Sequence, residues 1–336
     1  MHTDSADQYF ALASPVFEGS GTPLIKNIVW YVRYIFTGDS LLATFYFFSP
    51  FAFLGSILWY VLYLRLSADL RPTSEPRQWQ PFLLMCWPSF LFFTAGIVKD
   101  SMIFFVIPLF FLAVYNMSQR SSIVFNVFKI GIIAAIMALL RPYLVMITLT
   151  GILFYGSAFK SQKQLGHILL KIAAILLIMV VVAWVLNTQG NMETIDTTAI
   201  ANKITFQQSD QARGTHFVIP TDNPIARLFF LPYSFLMNLL FPLFYLAGNA
   251  VGVIASFENM LLLFICYQLI KNRSIIKNIF NEMPLTRAMF YFFVFGMFFM
   301  ASVNTNLGLS TRQKSMYVPC ILILYCMIYD KKRITS

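Results

Sequence analysis

Apolar runs of bilayer-spanning length recur along most of this chain, separated by short polar stretches that carry Lys and Arg. The first clear run covers about residues 41–64 and ends at RLSADLRPTSEPRQ. Two longer runs follow, 81–117 and 124–159, and each is interrupted by charge near its centre: Lys99-Asp100 in one, Arg141-Pro142 in the other. Proline disfavours helical geometry in the residue before it and starts a new helix readily. The pattern therefore predicts two segments of one design, each made of two short apolar halves around a charged break. Residues 168–186 form a clean span, and 187–227 is the one sizeable polar region, predicted as a structured loop. Residues 228–248 are apolar but broken by Pro232, Asn238 and Pro242. Runs at 251–270, 288–303 and 316–329 complete the pattern, with a turn at TNLGLSTRQK and a basic tail, DKKR.

The expected fold class is all-α: a polytopic membrane helix bundle of about nine spans plus a re-entrant or interfacial segment. Three regions follow from it. Residues 1–40 are a polar, then interfacial, leader in which 27–36 is mildly amphipathic; 41–329 are the transmembrane bundle with its outer loop 187–227; 330–336 are a basic cytoplasmic tail. No cleavable signal peptide is expected from MHTDSADQYFALAS, although a further span ahead of residue 1 would suit the topology.

Composition removes the soluble alternatives. Hydrophobic residues make up 58% and charged residues 11%, with a mean hydropathy of +0.70, whereas soluble domains carry about a quarter charged residues. An outer-membrane barrel would show short alternating strands instead. The four cysteines lie in apolar runs without metal spacing, and the three histidines are scattered. Neither a metal nor a cofactor is expected.

The net charge of +10 reports orientation rather than nucleic-acid binding. With the loops at 65–79, 118–123, 160–167 and 271–287 and the C-terminus in the cytoplasm, these regions and the adjoining helix ends hold 15 of the 24 basic residues. Nine remain for the other face. Among those nine, Lys99, Arg141, Arg213, Arg312 and Lys314 sit at helix breaks or loop edges. Arg forks and Lys point charges suit phosphate and diphosphate groups. Such a cluster would neutralise a leaving diphosphate as charge develops on it.

Several carboxylates, Glu258 among them, fall on the same face, and one could act as general base towards a sugar hydroxyl. Asp7, in the acidic leader, and Asp100, at the break, rank first. Each feature also has a structural reading. Lys99-Asp100 can be an internal pair at a helix end, Arg141 can snorkel, Arg312-Gln313-Lys314 can be a surface turn, and Glu258 can cap its own helix start.

The stretches WPSFLFFTAGIVKDS, LLRPY and NLGLSTRQKSMYVP resemble polytopic proteins of bacterial surface-polysaccharide assembly. These are O-antigen and exopolysaccharide polymerases of the Wzy/EpsG type and the related GT-C glycosyltransferases, and the likeness runs from about residue 40 to 329. The resemblance implies a multi-pass protein of the bacterial inner membrane that uses polyprenyl-phosphate- or polyprenyl-diphosphate-linked saccharides on the outer face. It makes Arg141, Arg312 and Lys314 candidates for diphosphate contact and loop 187–227 an acceptor-side cover. The implied partners are the lipid-linked saccharide, the bilayer and other polysaccharide-assembly membrane proteins. The expected function is therefore sugar transfer or polymerisation; the alternative is a transporter or flippase for a lipid-linked or anionic solute, since helices with charged breaks also mark transporters.

Overall fold

The computed structural model describes residues 22–37, 40–70, 79–94, 99–119, 123–153, 216–219, 224–244 and 250–335. These residues are helical almost throughout. In chain order they form α1 (Thr22–Val32), a π-helical turn at Arg33–Thr37, α2 (Leu41–Leu70), α3 (Trp79–Met85), α4 (Pro88–Thr94) and α5 (Lys99–Ser118). There follow α6 (Ile123–Leu140), α7 (Pro142–Leu153), α8 (Pro224–Leu240) and α9 (Ala250–Lys271). The last are α10 (Arg273–Glu282), α11 (Pro284–Val303), α12 (Leu307–Lys314) and α13 (Val318–Thr335).

Four described helices are long and apolar enough to cross a membrane: Leu42–Leu70, Asp100–Ser118, Gly252–Lys271 and Pro284–Val303. This is what an integral membrane protein requires. Prolines inside α2, α5 and α8 (Pro50, Pro108, Pro232) are tolerated because neighbouring helices shield the freed backbone groups. The expected run 168–186 lies outside the described residues. The run 81–117 divides unequally, into the short α3 and α4 and the long α5. By contrast, 124–153 breaks at Arg141-Pro142 as predicted, with Pro142 opening α7.

Every residue from Lys314 to Ile328 is buried, so most of α13 is enclosed on all sides by other helices. An aromatic chain ties it to the bundle: Phe111 of α5 lies 5.5 Å from Phe292 of α11, which lies 5.2 Å from Tyr317. Small residues allow this closeness. A Cβ on Gly296 would fall 2.3 Å from the Tyr317 ring, and one on Gly55 would fall 2.9 Å from the Phe104 carbonyl oxygen.

Contacts along the helices define two ends of the bundle. Gly55 meets Phe104, and further along the Tyr115 hydroxyl donates to Asp69 at 2.9 Å, so α2 and α5 run parallel. Helix α13 begins just after Arg312, which pairs with Asp100 at the start of α5. It ends where Asp330 accepts from Tyr63 and Ser67 of α2. It therefore runs with them. Asp100 and Asp330 mark the two ends, about 20 Å apart along α2 at the helical rise. Arg65, bonded to Asn116, and Lys331, bonded to Glu282, share the Asp330 end. Arg141 and Arg312 share the Asp100 end.

Candidate functional site: a buried Arg–Asp–Arg triad

Asp100 is the second residue of α5, where a carboxylate is favoured by the unpaired N–H groups of the first turn. Its side chain is fully buried. Arg141 occupies the one-residue break between α6 and α7: its N–H still bonds the Met137 carbonyl at 2.7 Å, while its own carbonyl accepts from the Leu144 N–H at 3.0 Å. The break keeps the backbone bonded on both sides and leaves the guanidinium buried in the bundle. Arg312 lies in the last turn of α12, a two-turn helix capped by Asn306, whose side chain accepts from the Leu309 N–H at 3.1 Å.

The three side chains meet on one carboxylate. Oδ1 of Asp100 accepts from Arg141 Nη2, and Oδ2 accepts from Arg312 Nε. Arg141 Nη1 donates to the Tyr143 hydroxyl, and the Tyr143 ring stacks on Phe299 with centroids 4.5 Å apart. Two guanidinium groups on one carboxylate leave the triad with an excess positive charge. Exposure locates its accessible part: the Arg141 side chain is 5% exposed, that of Arg312 is 32% exposed. The terminal amino groups of Arg312 have no partner among the described residues, so its fork is held in place through Nε and open at the other edge. Nε of Arg141 is also without a partner.

The other predicted residues are placed differently. Lys314 is fully buried, donating to the Leu239 carbonyl at 3.0 Å and to Asn259 Oδ1, and does not join the triad. Lys99 opens α5, but its side chain lies outside the described residues, as do Asp7 and Arg213. The carboxylate partners of the 99–100 break are thus arginines distant in sequence. Tyr143 fixes Arg141, and in the sequence its place two residues after the arginine in LLRPY is the only local sign of that role.

Glu258 does not cap its own helix. It lies well inside α9, is 1% exposed, and accepts from Trp87 Nε1 at 2.6 Å and from the Ser89 N–H at 2.8 Å. It satisfies a free N–H at the start of another helix, α4. Of the predicted outer loop, residues 216–219 are described, and they lie against the start of α12. His216 bridges to Asn306, the Phe217 N–H donates to the Thr305 carbonyl at 3.1 Å, and Phe217 and Ile219 pack on Leu307.

Among the described residues no three His, Cys, Asp or Glu side chains stand close enough to hold a metal ion. The chemistry on offer is anion recognition by a positioned arginine. No family model, curated protein or solved structure matches this chain.

Proposed function

We propose that the chain is an inner-membrane enzyme of bacterial surface-polysaccharide assembly. In this reading it transfers or polymerises sugars from a polyprenyl-phosphate- or polyprenyl-diphosphate-linked donor on the outer face. The observation that carries the proposal is the triad: three segments of the chain converge to hold one partly exposed Arg312 whose amino groups have no partner among the described residues, inside a cluster of net positive charge. A phosphate leaving group is the natural complement to such a fork.

In the transfer step the bond between the anomeric carbon and the phosphate oxygen breaks, and an acceptor hydroxyl oxygen bonds to that carbon. The hydroxyl proton passes to a base, and the negative charge left on the phosphate is met by Arg312, with Arg141 behind it. Both oxygens of Asp100 are engaged by guanidinium groups, which suits a positioning residue better than a proton acceptor. The breaks at Cys86-Trp87 and Arg141 also suit the transporter reading, in which the same fork would hold an anionic solute.

The test is replacement of Arg312 by Ala in the host, with surface polysaccharide resolved by gel. Transfer predicts loss or shortening of the polymer at normal protein level. An unchanged chain-length distribution would overturn the enzyme reading. Accumulation of full-length polymer or its lipid-linked precursor on the cytoplasmic side would favour transport.

A further inference from the structure

The helix that carries Arg312, α12, also lines a cavity. Between α4, α9 and α12 lies an open cavity of about 380 Å³, within the size range of small-molecule sites. Its two sides differ in chemistry. Leu91, Phe92 and Ile254 form an apolar flank and are themselves 57%, 55% and 49% exposed, so this side opens at the surface of the bundle. The buried part of the lining carries Ser89, Thr311 and the carboxylate of Glu258.

The Glu258 carboxylate sets what the cavity can hold. It offers about four acceptor positions, of which Trp87 and the Ser89 N–H take two. It therefore has capacity for a further donor, and it would repel an anion. Lys314 bonds Asn259, the residue after Glu258, so a basic side chain already stands near this carboxylate, which weakens the case for a cationic ligand. A neutral hydroxyl fits both constraints. The exposed apolar flank in turn fits a hydrocarbon chain entering from the bilayer.

We propose that this cavity binds the hydroxyl-bearing head of a neutral amphiphile, with its chain along Leu91, Phe92 and Ile254 and a hydroxyl donating to Glu258. Thr311, in its wall, directly precedes Arg312, so one helix, α12, serves both the cavity and the anion site. The role of acceptor pocket rests on the transfer reading; the binding itself stands on the cavity.

Cys86 supplies the reporter, because it lines the cavity and is the exposed one of the four cysteines. The full chain is placed in phosphatidylcholine nanodiscs, and N-ethylmaleimide modification of Cys86 is followed by mass spectrometry. Decyl glucoside, decyl phosphate and decyltrimethylammonium are added in turn, well below the lipid concentration. Decyl glucoside is expected to slow modification roughly fivefold, the scale of a good hydrogen bond, and the two charged probes much less. Glu258→Gln should remove the advantage of the glucoside. Ile254→Trp, at a half-exposed position, should block all protection while leaving Cys86 reactive. Equal protection by the three probes, no protection by any, or a Cys86 that does not react without probe would each overturn the proposal. A host with Arg312→Ala and normal polysaccharide would instead overturn the transfer reading and leave this binding site standing.

Discussion

Two buried aspartates at opposite ends of the bundle solve the same problem in different ways. Asp330, 2% exposed, accepts from the Tyr63 hydroxyl at 2.8 Å, the Ser67 hydroxyl at 2.8 Å and Gln80 Nε2 at 3.0 Å. Neutral donors from α2 and α3 thereby fasten the last turns of α13. Asp100, fully buried, is met by two guanidinium groups, and one of them reaches the surface. The first arrangement uses its donors on the joint it makes. The second holds more cationic donors than its carboxylate can engage, and the surplus sits on a rigid, accessible arginine. A closed polar joint needs no more than matched donors; a site that binds a ligand needs something left over.

The largest expected effect of breaking this contrast is at Asp100. Asp100→Ala would leave the Arg141 guanidinium buried without its counter-charge, at a cost of about 3–5 kcal/mol. It should show as a marked fall in the midpoint of thermal unfolding of detergent-solubilised protein, followed by size-exclusion chromatography. Asp330→Asn keeps the shape and loses part of the accepting capacity, for about 1–3 kcal/mol in the same melt. If it costs more than Asp100→Ala, the weight given to the ion pairs of Asp100 is mistaken. Ser67→Ala removes one of the described donors and should cost about 1 kcal/mol; a loss exceeding that of Asp330→Asn would show that Ser67 acts through something other than this carboxylate. Arg312→Ala should cost least, about 1 kcal/mol or less, because its ion pair is partly exposed. Its effect should appear in the polysaccharide instead, and a melt as damaged as that of Asp100→Ala would make Arg312 structural.

Part of the site could be read along the chain. Pro142 marks the helix break that presents Arg141, and Asp100 and Arg312 stand out as charges between apolar runs. Residues 307–314 form a helix where the sequence predicts a turn, although Asn306 is a good N-cap; eight residues with little apolar periodicity leave no signal stronger than a cap. Lys314 and Arg312 looked alike in sequence and differ in the fold, one fully buried on Asn259 and a carbonyl, the other a third exposed. Residues two apart on a helix point to opposite faces, and the neighbours they meet come from residues 239 and 259 in one case and 100 in the other. Glu258 was visible as a carboxylate in an apolar run, but its partners lie 171 and 169 residues away, at the start of α4.

The chain's own chemistry determined that it would be helical, apolar and suited to a membrane, because runs of this length and composition can bury their backbone polar groups there only as helices. It also set where charges interrupt those runs. Which helix lies at the centre was decided by tertiary packing. Helix α13 is enclosed on all sides, whereas α9 presents Val253, Phe257, Met260, Phe264 and Tyr267 outward at helical spacing, yet both read as similar apolar segments. Lipid chains are as apolar as a helix-bundle core, so hydropathy cannot separate a face turned to lipid from one turned to protein. For the same reason the pairing of Asp100 with arginines 41 and 212 residues away, and the charge it leaves over on Arg312, arise only when the helices come together.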